Sequence, residues 1–372
     1  MTSKSIGLYV HIPFCKRRCN YCDFCSFAEG EGVPREKYIE ALIADIESYG
    51  GREVSLDTVF FGGGTPSLLS PSELSKIVNS IRKTFEIDEG CEFTLEANPA
   101  TLNREKLISY MENGVNRISL GLQSIHENEL KILGRIHSYD DFLKTFRLCR
   151  ECGITNINVD LMYSFPEQTE ESLRKTLNTI TELSPEHISL YGLILEEGTP
   201  LYERRLVLAF PDEDKELSMY RLAANLLRSR GYLHYEISNY SKEGFRSKHN
   251  LKYWRDEEYI GVGLSAYSYF GGERYGRTRD ISEYLKAPTD RAYCERITPS
   301  DEREEYVMLA LRLSEGLSLD GYRRRFNEDF EVGREEKLSE YERLGLLKIK
   351  DGCISLTEEG FYVSNTIISS LI

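Results

Sequence analysis

The stretch HIPFCKRRCNYCDFCSF, residues 11–27, places four thiols, Cys15, Cys19, Cys22 and Cys25, within eleven residues. Thiols this close serve as metal ligands, disulfide partners or nucleophiles. The N-terminus MTSKSIGLYVHIPFC carries one lysine and a short apolar run that reads as a strand, without a secretory signal's long apolar core and cleavage site. No segment has the length of a bilayer span. The expected location is cytoplasmic, and in a reducing compartment nine cysteines do not form a disulfide framework. The cluster therefore points to metal or catalysis. Structural zinc takes two well-separated ligand pairs that close a tetrahedron. Here all the thiols come from one short loop, which suits an iron–sulfur cube. The first three, spaced C-x3-C-x2-C, would leave one iron open for a substrate.

These thiols need a scaffold, and the chain supplies a regular one. Strand-like runs GLYVHI (7–12), DTVFF (57–61), EFTLE (92–96), NRISLGL (116–122), NINVDLMY (156–163) and HISLYGLIL (187–195) alternate with amphipathic helical patterns at 34–50, 70–85, 103–114, 138–153 and 168–183. Ser70 before Pro71 reads as an N-cap. Six β/α units with right-handed crossovers make an α/β fold, a partial (β/α)6 TIM-like barrel. YLHYEIS (232–238), after a helix at 213–231, extends the sheet. The cysteine loop then leaves the C-terminal end of the first strand, the face that carries active sites in such barrels.

Other strand ends are polar. FFGGGTPSLL (60–69) follows the second strand, and its glycines permit positive φ and close backbone approach; it lacks the Lys-Ser/Thr of a P-loop. Glu96 ends the third strand, Gln123 follows the fourth, Asp160 ends the fifth, and Arg135 lies in LGRIH. A carboxylate at a strand end can meet ribose hydroxyls or an amine, and an arginine can clamp a carboxylate through two hydrogen bonds. Singly each reads as a cap or a surface ion pair; together, beside a thiol cluster, they read as one site.

C-x3-C-x2-C behind the first strand, with Tyr21 before the third cysteine, resembles the radical S-adenosylmethionine (SAM) superfamily. That resemblance implies that Cys15, Cys19 and Cys22 bind a [4Fe-4S] cluster whose fourth iron is chelated by SAM, and that one electron cleaves SAM to a 5′-deoxyadenosyl radical. YVHIPFC, FGGGTPS, LEANP, RISLGLQS, LGRIH and DLMYSFP resemble one branch, that of oxygen-independent coproporphyrinogen III oxidase (dehydrogenase) and its haem-chaperone relatives, over roughly residues 8–280, and the C-terminal part is similar too. By motif, the resemblance assigns Tyr9, Tyr21, Gly63, Gly64, Thr65, Glu96, Gln123, Arg135 and Asp160 to SAM. Ile194 and Tyr267 fall where less diagnostic contacts lie.

Two features separate the branch members. The dehydrogenase carries a substantial extension before its cysteine motif, and only 14 residues precede Cys15 here. HNLKYW (249–254) matches the H-N-x-x-Y-W of the haem chaperones, where it is proposed to bind haem. His249 would be an axial ligand, with Tyr253 and Trp254 packed on the porphyrin; on the residues alone, His249 fastening a loop and Trp254 in the core is the competing reading. The expectation is a haem chaperone holding cluster, SAM and haem, with acceptor haemoproteins and an electron donor such as flavodoxin or ferredoxin as partners. The alternative is the dehydrogenase, removing hydrogen from propionates before decarboxylation. A plain iron–sulfur carrier would need none of the SAM residues.

Cys25 is expected not to bind the cluster when SAM does, because it would occupy the open iron. Cys149 and Cys152, at a helix end, and Cys91, Cys294 and Cys353 read as packing residues, and His11 as a satisfied polar group at the barrel mouth. The balance of 47 Lys+Arg against 61 Asp+Glu, net −14, argues against non-specific nucleic-acid binding. The sequence permits a homodimer. Residues 1–238 are expected to form the barrel, 239–298 a loop-rich extension over its mouth, and 299–372 a winged-helix-like α+β domain that packs rather than binds DNA.

Overall fold

The computed structural model describes residues 4–372. Strands β1 (Lys4–Ile12), β2 (Val54–Gly63), β3 (Glu86–Ala97), β4 (Arg117–Gln123), β5 (Asn156–Tyr163) and β6 (His187–Gly192) lie side by side in chain order, all parallel. Parallel neighbours need crossovers. Helices α1 (Arg35–Glu47), α2 (Pro71–Thr84), α3 (Arg104–Glu112), α4 (Tyr139–Glu151) and α5 (Glu170–Glu182) supply them, and α6 (Glu213–Ser229) follows β6. Ser70, Ser138 and Thr169 each close a capping box, which fixes where α2, α4 and α5 begin.

The strands alternate in a way that sets the function. Ile118 and Leu120, Ile157, Val159 and Leu161, and Ile188 and Leu190 point outward into the helix layer and are buried. The residues between them, Arg117 and Ser119, Asn158 and Asp160, His187 and Ser189, are polar and face inward. All six strands line one cavity (Tyr9, Phe60, Glu96, Ser119, Asp160 and Ser189 each come from a different one), so the sheet is curled into a partial barrel.

The curl stays open and is lengthened at both edges. β7 (Leu233–Glu236) and β8 (Asn239–Ser241) form an antiparallel pair beside β6. On the other side β9 (Tyr259–Val262) pairs in parallel with β1, followed by β10 (Tyr267–Phe270), β11 (Glu273–Gly276) and β12 (Tyr293–Arg296). Residues 239–298 thus differ from the loop-rich expectation: after helix α7 (Lys248–Trp254) they add four strands to the main sheet. Glycines among tyrosines gave the stretch the look of loops. Gly261 is there because a Cβ would stand 2.1 Å from the Tyr267 carbonyl oxygen, a close approach within the sheet. A buried ion pair ties this segment to α1: Arg277 Nη2 donates to Asp45 Oδ1 at 2.5 Å, and Gly263 N and Tyr284 OH donate to Oδ2 at 3.0 and 3.1 Å.

The C-terminal part has helices at Pro299–Ala310, Leu319–Phe326, Glu335–Arg343 and Ser364–Leu371 around a small sheet. Its wing is the hairpin Leu347–Lys350 with Cys353–Leu356. Asp351 (φ 52°) and Gly352 (φ 74°) make the two-residue turn that strand twist favours. Ser314 N donates to Tyr235 O at 3.0 Å, and Arg221 grips Glu359 at 2.6 and 2.8 Å, so the unit packs on the barrel. Among the described residues no helix is long and apolar enough to cross a membrane.

Candidate functional site

The cysteine loop is closed by backbone pairing of Phe14–Cys15 with Phe27–Ala28. Asn20 pins its middle: its N and Nδ2 donate to Leu133 O (2.9 Å) and Ile132 O (2.8 Å), and its carbonyl accepts from Leu201 N (2.9 Å). A turn from Cys22 N to Cys19 O, 3.3 Å, brings these two thiols to one side. Donors face the sulfurs: Thr65 Oγ1 lies 3.6 Å from Cys15 Sγ, and Arg135 Nη1 lies 3.3 Å from Cys19 Sγ. Cys25 turns elsewhere, its Sγ 3.7 Å from Arg279 O. Every cysteine is a free thiol.

This donor set fits a [4Fe-4S] cluster on Cys15, Cys19 and Cys22. A cube takes one thiolate per iron, so its ligands stand further apart than those of a single ion. Arg135 supplies positive charge where thiolates would gather, and its buried Nε has no partner. Burial raises the Cys15 and Cys22 thiols, the latter to about 11, so the metal must supply the charge that keeps them ionised.

The glycine segment is shaped by its neighbours. Gly63 has φ 108°, and a Cβ there would strike the His11 ring at 2.5 Å. A Cβ on Gly64 would meet Phe14 O at 2.8 Å, and Gly64 N donates to Ile12 O at 2.8 Å. These glycines let β2 run under the strand that delivers Cys15. Gly63 N donates to Glu96 Oε2 at 3.2 Å. Thr65 accepts from Asn98 Nδ2 (2.8 Å), and Asn98 Oδ1 accepts from Arg135 Nη2 (2.5 Å). Gln123 is buried with φ 72°, a left-handed conformation costly for a non-glycine residue and typical of functional sites. Tyr21 packs on Leu133, Met162, Phe165 and Leu201.

Two cavities adjoin the loop. One of about 160 Å³ is lined by Cys19, Thr65, Asn98 and Arg135, with Lys16 and Arg17 at its rim. The other, about 190 Å³, is the barrel interior, lined by Tyr9, Gly63, Glu96 and Asp160, with Asn250 and Tyr253 from α7. Asp160 accepts from Asn158 Nδ2 (2.7 Å) and Ser119 Oγ (3.0 Å). Removal from bulk water, and then the Asp160 charge, push Glu96 up to about 8, so at neutral pH this pair carries less than two charges.

Of the residues singled out by sequence, Tyr9, Gly63, Glu96 and Asp160 meet in the barrel, and Cys19, Thr65 and Arg135 meet in the smaller cavity. Ile194 and Tyr267 are exposed and line neither. Helix α7 splits the H-N-x-x-Y-W stretch. His249 is buried with both ring nitrogens engaged, Nδ1 to Thr58 Oγ1 and Nε2 to Tyr253 OH, each at 2.8 Å. Trp254 packs instead on Tyr235, Leu251 and Leu313. The three side chains therefore do not form the single porphyrin-facing surface expected of them. Sequence reasoning passed over Asn98, Arg117, Ser119, Asn158, Ser189 and Tyr191. Ser119, Asn158 and Ser189 left a signal as polar residues at alternate positions inside their strands, whereas Arg117 opens β4 and Asn98 directly follows β3.

Comparison with known families matches residues 9–180 to the radical SAM superfamily and residues 297–363 to the HemN C-terminal domain. The heme chaperone HemW of Lactococcus lactis is 36% identical over 377 residues, spanning 100% of this chain and 98% of that protein. HemW of Bacillus subtilis is 33% identical, spanning 98% of both. Among solved structures, coproporphyrinogen III oxidase (HemN) from Escherichia coli has a TM-score of 0.86 over 100% of this chain and 91% of that one; at 20% identity this shows a shared fold. The radical SAM domain brings a [4Fe-4S] cluster and SAM as its cofactors. A radical SAM barrel, a HemN-type C-terminal domain and end-to-end identity of this level place the chain in the HemW family of radical SAM proteins.

Proposed function

We propose that this chain takes up haem and passes it to acceptor haemoproteins, with the cluster on Cys15, Cys19 and Cys22 and SAM in the adjoining cavities. Identity to HemW proteins along the whole chain carries the reading. Tyr9, Tyr21, Gly63, Gly64, Thr65, Glu96, Gln123, Arg135 and Asp160 surround the place for SAM. Arg135 and Asn98 suit its carboxylate, and Glu96 and Asp160 suit an amine and ribose hydroxyls. When bound, the cluster supplies the electron that cleaves SAM. The electron comes from a flavodoxin- or ferredoxin-like donor.

SAM would span the two adjoining cavities, about 160 and 190 Å³, which leave no room for a porphyrin beside it. A porphyrin would therefore be held at the surface, as suits a ligand that is handed on. Ligation by His249 would require its ring to leave Thr58 or Tyr253.

The test is to reconstitute the cluster anaerobically and follow haem uptake and transfer by absorbance, with coproporphyrinogen, SAM and reductant in a parallel assay. Stoichiometric haem uptake and its transfer to an apo-haemoprotein are expected. Turnover to protoporphyrinogen would sink the chaperone reading in favour of the dehydrogenase.

A further inference from the structure

The H-N-x-x-Y part of α7 faces the barrel and not the surface. The His249 ring lies on Phe60 with centroids 5.2 Å apart, and Phe60 is an inward residue of β2, two after Thr58. His249 Nδ1 reaches Thr58, and Nε2 reaches Tyr253 OH one helical turn on, 2.8 Å each. Asn250 and Tyr253 then line the same cavity as Tyr9, Gly63, Glu96 and Asp160.

We propose that His249 is a positioning residue of the SAM cavity: it fixes the Tyr253 hydroxyl, beside Asn250, against the adenosine end of bound SAM. The inference rests on the reading of Glu96 and Asp160 as SAM contacts. A neutral imidazole has one donor and one acceptor nitrogen, so the bond that Nδ1 makes with Thr58 decides which way the Tyr253 hydroxyl is polarised. Burial holds His249 neutral, its pKa lowered to about 3. Tyr9, Phe60 and Tyr253 give the wall the aromatic surface that a purine needs, and the hydroxyl and the Asn250 amide give it polar points.

Trp254 fits the same picture from the other side. It packs against Tyr235, Leu251 and Leu313, with the Arg312 guanidinium 5.9 Å from its ring. It anchors α7 to the C-terminal unit, so the cavity wall is held at both ends.

The test uses the full chain with reconstituted cluster and measures SAM dissociation constants by equilibrium dialysis. Tyr253→Phe is expected to weaken SAM about tenfold, the effect of losing one hydrogen bond, with iron content unchanged and a lower thermal midpoint because His249 Nε2 loses its partner. His249→Ala should weaken it at least as much, and His249→Gln, which puts an amide donor and acceptor in place of the ring nitrogens, should recover part of the loss. Asp160→Asn controls for the underlying reading. If Asp160→Asn weakens SAM while Tyr253→Phe and His249→Ala do not, the positioning role is wrong and the cavity assignment stands. If Asp160→Asn also leaves SAM binding unchanged, the cavity is not the SAM site and both fall.

Discussion

The guanidinium of Arg135 lies 3.3 Å from the sulfur of Cys19 and 2.5 Å from the amide oxygen of Asn98, joining the cysteine loop to the end of β3. One side chain therefore serves both the thiolates and the place for the SAM carboxylate. Arg135→Ala removes a charge-assisted bond worth about 1.5–3 kcal/mol, so SAM affinity should fall roughly tenfold to a hundredfold. Calorimetry on the cluster-loaded protein checks this, and voltammetry should show a lower cluster potential once the positive charge is gone.

The ligand assignment separates Cys19 from Cys25. Cys19→Ala should abolish cluster assembly, read as iron and sulfide per chain. Cys25→Ala, whose thiol faces Arg279 O, should retain a full complement. Loss of iron in Cys25→Ala would overturn the three-ligand set.

Lys16, Arg17 and Arg18 lie between two cluster ligands, are exposed, and make no ion pair among the described residues, in a chain of net charge −14. An acidic electron donor docked there would sit against the loop that carries Cys15 and Cys19. The triple variant Lys16→Glu, Arg17→Glu, Arg18→Glu should weaken flavodoxin binding by tenfold or more and remove most of its salt dependence, measured at several ionic strengths. Haem uptake should not change.

Asp45 and Arg277 hold strands β9–β12 to α1 through an ion pair with almost no solvent exposure. Breaking such a pair from one side costs about 3–5 kcal/mol, because it strands the other charge. Asp45→Ala should lower the urea midpoint accordingly, and Asp45→Asn, which keeps an oxygen for Gly263 N, should lower it less.

Glu96 titrates near 8 in the fold against 4.5 in a free chain. Between these values the native state holds more protons than the unfolded one, so stability falls as pH rises through the window and levels off above it. Glu96→Gln should flatten that slope by at most about 1.4 kcal/mol per pH unit, measured by urea unfolding across the window.

Much of this is legible in the sequence. The β/α rhythm located six strands and their helices, because apolar spacing and caps such as Ser70 and Ser138 act within a few residues. The cysteine loop was legible because its ligands are neighbours in the chain. The strands of residues 259–296 were not, since their partners lie elsewhere: β9 pairs with β1, some 250 residues away in sequence. The setting of His249 was not legible for the same reason: the residues alone left it open between fastening a loop and binding haem, and its partner Thr58 lies 191 positions earlier.

The sequence by itself determined the local units: the thiol spacing, the glycines that let β2 pass under Cys15, and the two-residue period that makes the strands apolar outside and mostly polar inside, Phe60 excepted. Only the tertiary structure decided what those units share. The curl of the sheet turns six polar stripes into one cavity, and the packing of α7 against β2 sends His249 inward and Trp254 outward. Contacts between distant residues depend on how elements dock, and no local pattern of residue types encodes which partner a buried imidazole will find.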